Sequence, residues 1–437
     1  MTKDNISKSI TKFAIPCILI RVIQNLYPLL DSLVVGKVLN IESLSAIGIA
    51  TSLYGLFNEV FLGLVSGFSI IVSKKNGAKN KRGLVESFYN ALLLSLILCT
   101  MATSLGLFFS NQMLTALKTP DPLMECARDY IFVILLGLVP NMLYNFICEM
   151  LRAIGDSKTP LILLVISSVI HIIILYPLTR FLGVRGTALA IIISYLITVV
   201  LGFIHIYKKT PVFTERIEKS LFKTSTMREC LSIGAPMGIT SFVVMFGVLI
   251  LSFVTNNIGA EYVAAYTSAS KIGYILTTPI FGFSTSIAVF ASQNFGAKNY
   301  DAINKGVSET LKTVTVINIV ITVIVFLFAK PFLRFMLENS QTAVNAGFLY
   351  LCIRCLSTAV LTPAAVYKNL LPAIGKPFFS TLSGFLEIGV RFLFPLMLSK
   401  ILGFSVVPLT DTASWLAISV LVFFSYKCEF RKLRNKL

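Results

Sequence analysis

The chain has 437 residues, of which 56% are apolar and only 13% charged, yet Lys and Arg outnumber Asp and Glu by 38 to 20, a formal net charge of +18. Soluble domains carry roughly 25% charged residues, so half that fraction leaves too little polar surface for a water-soluble globule of this length. Disorder is excluded by the apolar content, and a spanning β-barrel by long continuous apolar runs where short alternating strands would be needed.

A membrane-spanning helix needs about 20 mostly apolar residues. In chain order, twelve such stretches lie at roughly 13–39, 47–73, 84–109, 126–151, 159–180, 186–207, 230–256, 262–292, 303–329, 341–371, 376–399 and 406–427. The predicted fold is an all-α polytopic membrane protein of twelve transmembrane helices. The first stretch is too long for a secretory signal, contains Asp31 and lacks a small-residue cleavage site, so it reads as the first span.

The loops alternate in charge. One side holds 24 basic residues, among them Lys74, Lys75, Lys79, Lys81, Arg82, Arg216 and Lys436, and the other holds seven, among them Lys37, Lys118, Arg185 and Lys400. Cytoplasmic loops are the basic ones, which predicts a multi-pass protein of the inner (plasma) membrane with both termini cytoplasmic. The basic excess then needs no nucleic-acid partner.

The two halves repeat. Ala14-Ile15-Pro16 matches Gly234-Ala235-Pro236. Gly77-Ala78-Lys79-Asn80 matches Gly296-Ala297-Lys298-Asn299, Ala153-Ile154-Gly155 matches Ala373-Ile374-Gly375, and Tyr176-Pro177 matches Phe394-Pro395, all at an offset of 218–220 residues. Six spans per copy is an even number, so both copies insert the same way, as parallel repeats related by an axis along the membrane normal. The expected organisation is a tail at 1–12, an N-lobe at 13–207, a charged cytoplasmic linker at 208–228, a C-lobe at 229–427 and a basic tail at 428–437. Two pseudo-symmetric six-helix bundles of this kind suit alternating access at a central cleft.

Phe13-Ala14-Ile15-Pro16 followed by Gln24-Asn25-Leu26-Tyr27-Pro28-Leu29-Leu30-Asp31 resembles the first span of the multidrug and toxic compound extrusion (MATE) transporters. The Gly-Ala-Lys-Asn after the second and eighth spans, and Leu151-Arg152-Ala153-Ile154-Gly155-Asp156-Ser157-Lys158-Thr159-Pro160 after the fourth, are similar to that family's cytoplasmic signatures. The resemblance covers nearly the whole chain. It implies a secondary antiporter that expels an organic, cationic or amphipathic compound in exchange for H⁺ or Na⁺, working as a monomer in membrane lipid without an enzymatic cofactor.

Ionisable side chains inside a bilayer are costly and mark pathways or structural pairs. Asp31 is the first of these. Its repeat counterpart is Leu251, so the charge belongs to one lobe. A carboxylate withdrawn from water can exchange a proton near neutral pH, bind a cation, or fix helix packing. The family's first-span Asp couples ion entry to substrate release, and the resemblance extends that expectation to Asp31. Pro16 and Pro28 lie in the same helix and favour a bend; the resemblance implies that the bend follows the state of Asp31, while a static kink is the alternative. The family often carries an Asn and an Asp before the fifth-span proline. Here those positions are Ile172 and Tyr176, with His171 one residue away as a substitute. The missing carboxylate favours H⁺ over Na⁺, a hard cation that wants several oxygen ligands. The candidate coupling set is Asp31, His171 and Tyr176.

Asn25, Tyr27, Asn141, Tyr144 and Asn145 give polar and aromatic edges suited either to an amphipathic cation or to interhelical hydrogen bonds. Glu387 and Arg391, four residues apart, share a helix face as an ion pair that either supports the fold or lines the cavity, with Lys271 and Arg354 as further partners for Glu387. Arg21 and Glu59 read as a mutual salt bridge. Cys352 and Cys355 share a face but behave as small hydrophobes. No phosphate-binding Gly-x-x-x-x-Gly-Lys-Ser/Thr loop, His-Glu-x-x-His or Gly-x-Ser-x-Gly motif occurs, so ATP hydrolysis by that route and the common hydrolase chemistries are not expected. The chief alternative is a lipid-linked precursor flippase of the same superfamily, in which Arg21, Lys271, Arg354 and Arg391 would hold a pyrophosphate.

Overall fold

The apolar stretches fold into helices in a computed structural model that describes residues 6–117, 119–209, 219–337 and 340–434. Lys3, Lys118, residues 210–218 of the linker and Lys436 lie outside the described residues, as do the side chains of Tyr27 and Pro28. Twelve helices follow in order: α1 (Ile6–Val38), α2 (Ile41–Gly77), α3 (Lys81–Ala116), α4 (Asp121–Leu136), α5 (Leu138–Ala153), α6 (Lys158–Lys209), α7 (Thr224–Ile258), α8 (Ala260–Gly296), α9 (Tyr300–Leu337), α10 (Gln341–Ala373), α11 (Pro377–Leu402) and α12 (Val406–Arg434). The fourth span is α4 and α5 together, bent by 43°. The fifth and sixth are the two parts of α6, which turns at Gly183. Each of the twelve predicted stretches thus falls on a helix, and among the described residues eight helical segments, or nine with the bent pair, are long and apolar enough to cross a membrane.

The surface is inverted relative to a soluble protein. Phe108, Phe181, Phe335, Leu356 and Ile401 are each more than 70% exposed, while Asn90, Thr179, Ser194 and Ser286 are fully buried. Continuous exposed apolar surface on this scale needs a lipid solvent. The protein is a multi-pass membrane protein.

The repeat is written into the backbone. Lys79 and Lys298 adopt φ of 56° and 58°, Gly155 and Gly375 100° and 82°, and Gly183 and Gly403 59° and 51°. These three left-handed pairs fall at the repeat spacing. The Gly-Ala-Lys-Asn signature thereby gains a physical meaning. The Lys79 amide donates to the Asn76 carbonyl and the Asn80 amide to the Lys75 carbonyl, and Lys298 and Asn299 repeat this on Phe295 and Asn294. This pairing closes a helix C-terminus around a left-handed residue. Asn80 then caps α3 by accepting from the Gly83 amide at 2.9 Å, and Asn299 accepts from Ala302 at 3.3 Å. One tetrapeptide ends a span and starts the next.

The helices form two compact units: Met1–Ile18 with Ile239–Leu437, and Leu19–Gly238. The start of α1 packs in the first unit, where Ile10 and Ala14 join a core with Ile280, Phe283 and Ile287. The start of α7 packs in the second, where Cys230 and Ile233 join a core with Phe68 and Phe146. Helices α1 and α7 therefore each contribute to both units.

Within the second unit α2 and α7 cross at glycines. A Cβ on Gly67 would collide with the backbone of Gly234 and Ile233. Small residues permit such close approach between membrane helices. Gly67→Val is expected to force the helices apart at a cost of about 1–3 kcal/mol, read as a lowered thermal unfolding midpoint in detergent. An unchanged midpoint would refute the crossing.

Candidate functional site

In the second unit Asp31 is met by an imidazole. The His171 Nε2 lies 2.6 Å from Asp31 Oδ1, with the His171 side chain buried. His171 comes from the first part of α6, so this contact ties two helices 140 residues apart in sequence. Asp31 also exerts its charge on two tyrosines, Tyr130 from α4 and Tyr195 from the second part of α6, and the Tyr130 hydroxyl is hydrogen-bonded to Thr51 of α2. Tyr144 stacks on Tyr195 at 5.2 Å between ring centroids. The result is an acid–imidazole pair whose carboxylate has two tyrosines within electrostatic reach.

An amide cluster adjoins it. The Asn141 side chain donates to the Tyr54 hydroxyl and to Asn58 Oδ1, each at 2.6 Å, and accepts from Asn145 Nδ2 at 2.8 Å. Tyr54 in turn lies within electrostatic reach of Tyr130 and Tyr195. Asn141, Asn145, Tyr54 and Asn58 thus form one hydrogen-bonded cluster between α2 and α5, whereas Asn25 is exposed on α1. Tyr176 is 52% exposed. It follows His171 by five residues, about 140° round the helix, and so faces away from the imidazole. Glu59 has Arg21 as its neighbouring opposite charge. Pro16 and Pro28 sit within α1, which remains helical through both.

The first unit contains a separate ladder of buried charges. Glu387 of α11 receives Lys368 of α10 at 3.1 Å and Arg391 at 3.1 Å. Arg391 continues to Asp411 of α12 at 3.0 Å, and Asp411 closes on Arg354 of α10. The Arg354 guanidinium lies 4.5 Å over Trp415. The expected pair of Glu387 and Arg391 is present. The expected partnership of Arg354 with Glu387 is corrected: Arg354 is taken by Asp411, and Lys368 supplies the second cation to Glu387. The reason is depth, because Lys368 and Arg354 are fourteen residues apart on one helix, about 21 Å along its axis. Lys271 is exposed on α8.

Sequence reasoning missed Thr51, Tyr54, Asn58, Tyr130 and Tyr195 in one unit, and Lys368 and Asp411 in the other. Thr51, Tyr54 and Asn58 share one face of α2, but they are uncharged, and only the three-dimensional packing relates them to Tyr130 of α4 and Tyr195 of α6.

The MatE family model matches the chain twice, over residues 16–177 and 236–397. The chain belongs to the MatE family. The two matches begin at Pro16 and Pro236, in register with the repeat. Among curated relatives, the probable multidrug resistance protein YoeA of Bacillus subtilis is 25% identical over 351 residues, covering 78% of this chain and 76% of that protein. YpnP of the same organism, also a probable multidrug resistance protein, is 26% identical over 80% of this chain and 78% of its own length. Among solved structures, a MATE transporter in the bent conformation superposes with a TM-score of 0.89 at 20% identity, covering 99% of this chain and 97% of that one. This MatE chain is a membrane transporter rather than an enzyme, with the Asp31–His171 pair and the charge ladder in separate units.

Proposed function

We propose that this MatE protein is a secondary antiporter that exports amphipathic organic cations in exchange for protons by alternating access, from an inner membrane in which both termini are cytoplasmic. The observation that carries the reading is the 2.6 Å contact between Asp31 and buried His171. With its proton on Nε2, the imidazole donates to the carboxylate, and a proton taken up by the pair cancels the negative charge that faces the tyrosines. A substrate cation and a proton would then compete for the same carboxylate, which is the requirement for exchange. Tyr130, Tyr144 and Tyr195 supply the aromatic faces that attract an organic cation. Sodium is less well served, because a hard cation collects six or so oxygen ligands and Asp31 is engaged at 2.6 Å by a nitrogen, His171 Nε2. The names of the Bacillus relatives support drug-like organic substrates. Because α1 belongs to both units, a change of state at Asp31 acts on a helix shared between them, and Pro16 and Pro28 are where it would bend.

The flippase alternative needs free cations in the membrane interior. Arg354 and Arg391 are instead held by Asp411, and Arg391 also by Glu387, which favours the antiporter.

The test is transport by the purified protein in liposomes with a fluorescent organic cation, driven by a pH gradient or by a Na⁺ gradient at matched membrane potential. Dye movement with the proton gradient alone is expected. Movement with sodium alone would reverse the coupling assignment, and movement with neither would overturn the antiporter.

A further inference from the structure

We infer that the first unit carries a binding site for the phosphate headgroup of an anionic phospholipid, in a groove between the beginning of α9 and the end of α12. The groove is a cavity of about 400 Å³ whose lining includes Asn304, Ser308 and Leu311 of α9, Tyr367 of α10, and Lys427 and Arg431 of α12. Residues 304, 308 and 311 recur at the spacing of one helix face, as do 427 and 431, so each helix turns a coherent stripe into the cavity.

The charges at this end of α12 are sorted by face. Glu429 is bound at 2.7 Å by both Lys376 and Lys432, and its carboxylate is thereby satisfied. Its position is about 200° from Lys427 round the helix. Lys427 and Arg431, on the groove side, have no acidic partner within 4 Å among the described residues. Of the two acids in this stretch of α9, Glu309 is engaged by Lys312 at 3.4 Å, and Asp301 lies exposed in the first turn, one turn before Asn304. Lys427 extends its ammonium 4.5 Å over the Phe423 ring. Asn304 Oδ1 is occupied by the Tyr426 hydroxyl at 2.9 Å, which leaves its NH₂ group to donate. The cavity therefore offers an ammonium, a guanidinium, an amide NH₂ and a hydroxyl, a set that suits a group made of acceptor oxygens with negative charge.

Depth and surroundings select a lipid. Asn304 lies one turn inside the start of α9 and Arg431 one turn inside the end of α12, so the groove opens at the helix ends. A 38-residue helix is about 57 Å long, well beyond the hydrocarbon core of about 30 Å, which puts its ends at headgroup level. Further along the same helices the surface is apolar and exposed, with Val316, Ile319 and Val320 on α9 and Leu416, Val420 and Phe424 on α12. A headgroup in the groove would have its acyl chains on this surface. Basic pockets between spanning helices are a known form of anionic-lipid recognition.

The test uses the full-length protein in detergent and measures retention of dioctanoyl phosphatidylglycerol by native mass spectrometry, with dioctanoyl phosphatidylcholine and inorganic phosphate as comparison probes. Wild type is expected to retain the glycerol lipid over the choline lipid. The variant Lys427→Gln/Arg431→Gln should lose at least about tenfold in retention, from about 1 kcal/mol per basic residue near the surface. Lys81→Gln/Arg82→Gln, which removes two exposed charges from the other unit, should retain lipid as wild type does. A groove-filling variant that keeps both cations, Ser308→Phe, should also lose retention. Equal retention in wild type and the Lys427/Arg431 variant, equal loss in the Lys81/Arg82 control, or full displacement of the lipid by equimolar inorganic phosphate would each overturn the assignment.

Discussion

Asp31→Asn is expected to abolish proton-driven export while leaving the protein folded and inserted. Asparagine keeps the shape of the side chain and can still accept a hydrogen bond from His171 Nε2, 2.6 Å from the native carboxylate, but it carries no charge and cannot be protonated. A hydrogen bond to a charged group is worth about 1.5–3 kcal/mol against about 1 for a neutral one. The lost difference between the protonated and unprotonated states is therefore of order 1–2 kcal/mol, enough to erase about a tenfold preference between conformations. Transport in liposomes should fall to the rate seen without a gradient, and the thermal unfolding midpoint should move little, because the variant leaves no buried charge unpaired. His171→Gln retains a donor while removing the imidazole, and is expected to weaken coupling less than Asp31→Asn. The pair is read together: pH-gradient-driven transport at the wild-type rate in Asp31→Asn would disconnect Asp31 from coupling, whatever the effect at His171.

Much of the fold was legible because membrane helices announce themselves by length and because the repeat recurs in short, conformationally demanding sequences. Gly-Ala-Lys-Asn was visible as a duplicated string, and the structure adds why it is kept: it must terminate one helix through a left-handed Lys and cap the next through Asn. The site was legible only where charge stood out from an apolar background. Asp31 and His171 did so, and their side chains meet. Tyr176 was chosen by its position before Pro177, and helix geometry turns it away, since a five-residue step changes the face. Asp411 was not singled out because nothing in its own helix marks it as the counterion of arginines on α10 and α11. Lys368 stands beside Asn369 near the end of α10, where a lysine reads as reaching for the membrane surface. Asp411 is instead a buried member of the charge ladder and Lys368 a half-buried one. Pairing between α10, α11 and α12 cannot be read from any one of them.

Asp411→Ala is expected to be among the most destabilising single changes in the first unit. Asp411 is the shared counterion of Arg354 and Arg391, and the ladder contains three cations, Lys368, Arg391 and Arg354, against two carboxylates, Glu387 and Asp411. Removing Asp411 leaves Glu387 alone to balance all three. Breaking a buried pair by deleting one partner typically costs about 3–5 kcal/mol, because the remaining charge stays out of water without compensation. Arg354→Ala should cost less, since Asp411 keeps Arg391 and the remaining ladder of Lys368, Glu387, Arg391 and Asp411 is balanced. The double change Arg354→Ala/Asp411→Ala should be less destabilising than the sum of its singles, with a coupling energy of about 1–3 kcal/mol, because a cation that Asp411 neutralises is removed with it and Glu387 still holds Arg391 at 3.1 Å. Thermal unfolding of the four proteins in one detergent, with the wild type as the fourth corner of the cycle, measures this directly. Strict additivity would mean that Arg354 and Asp411 do not interact in the folded protein. A midpoint for Asp411→Ala equal to wild type would mean that water reaches the ladder and solvates its arginines, and the buried network would then have to be abandoned.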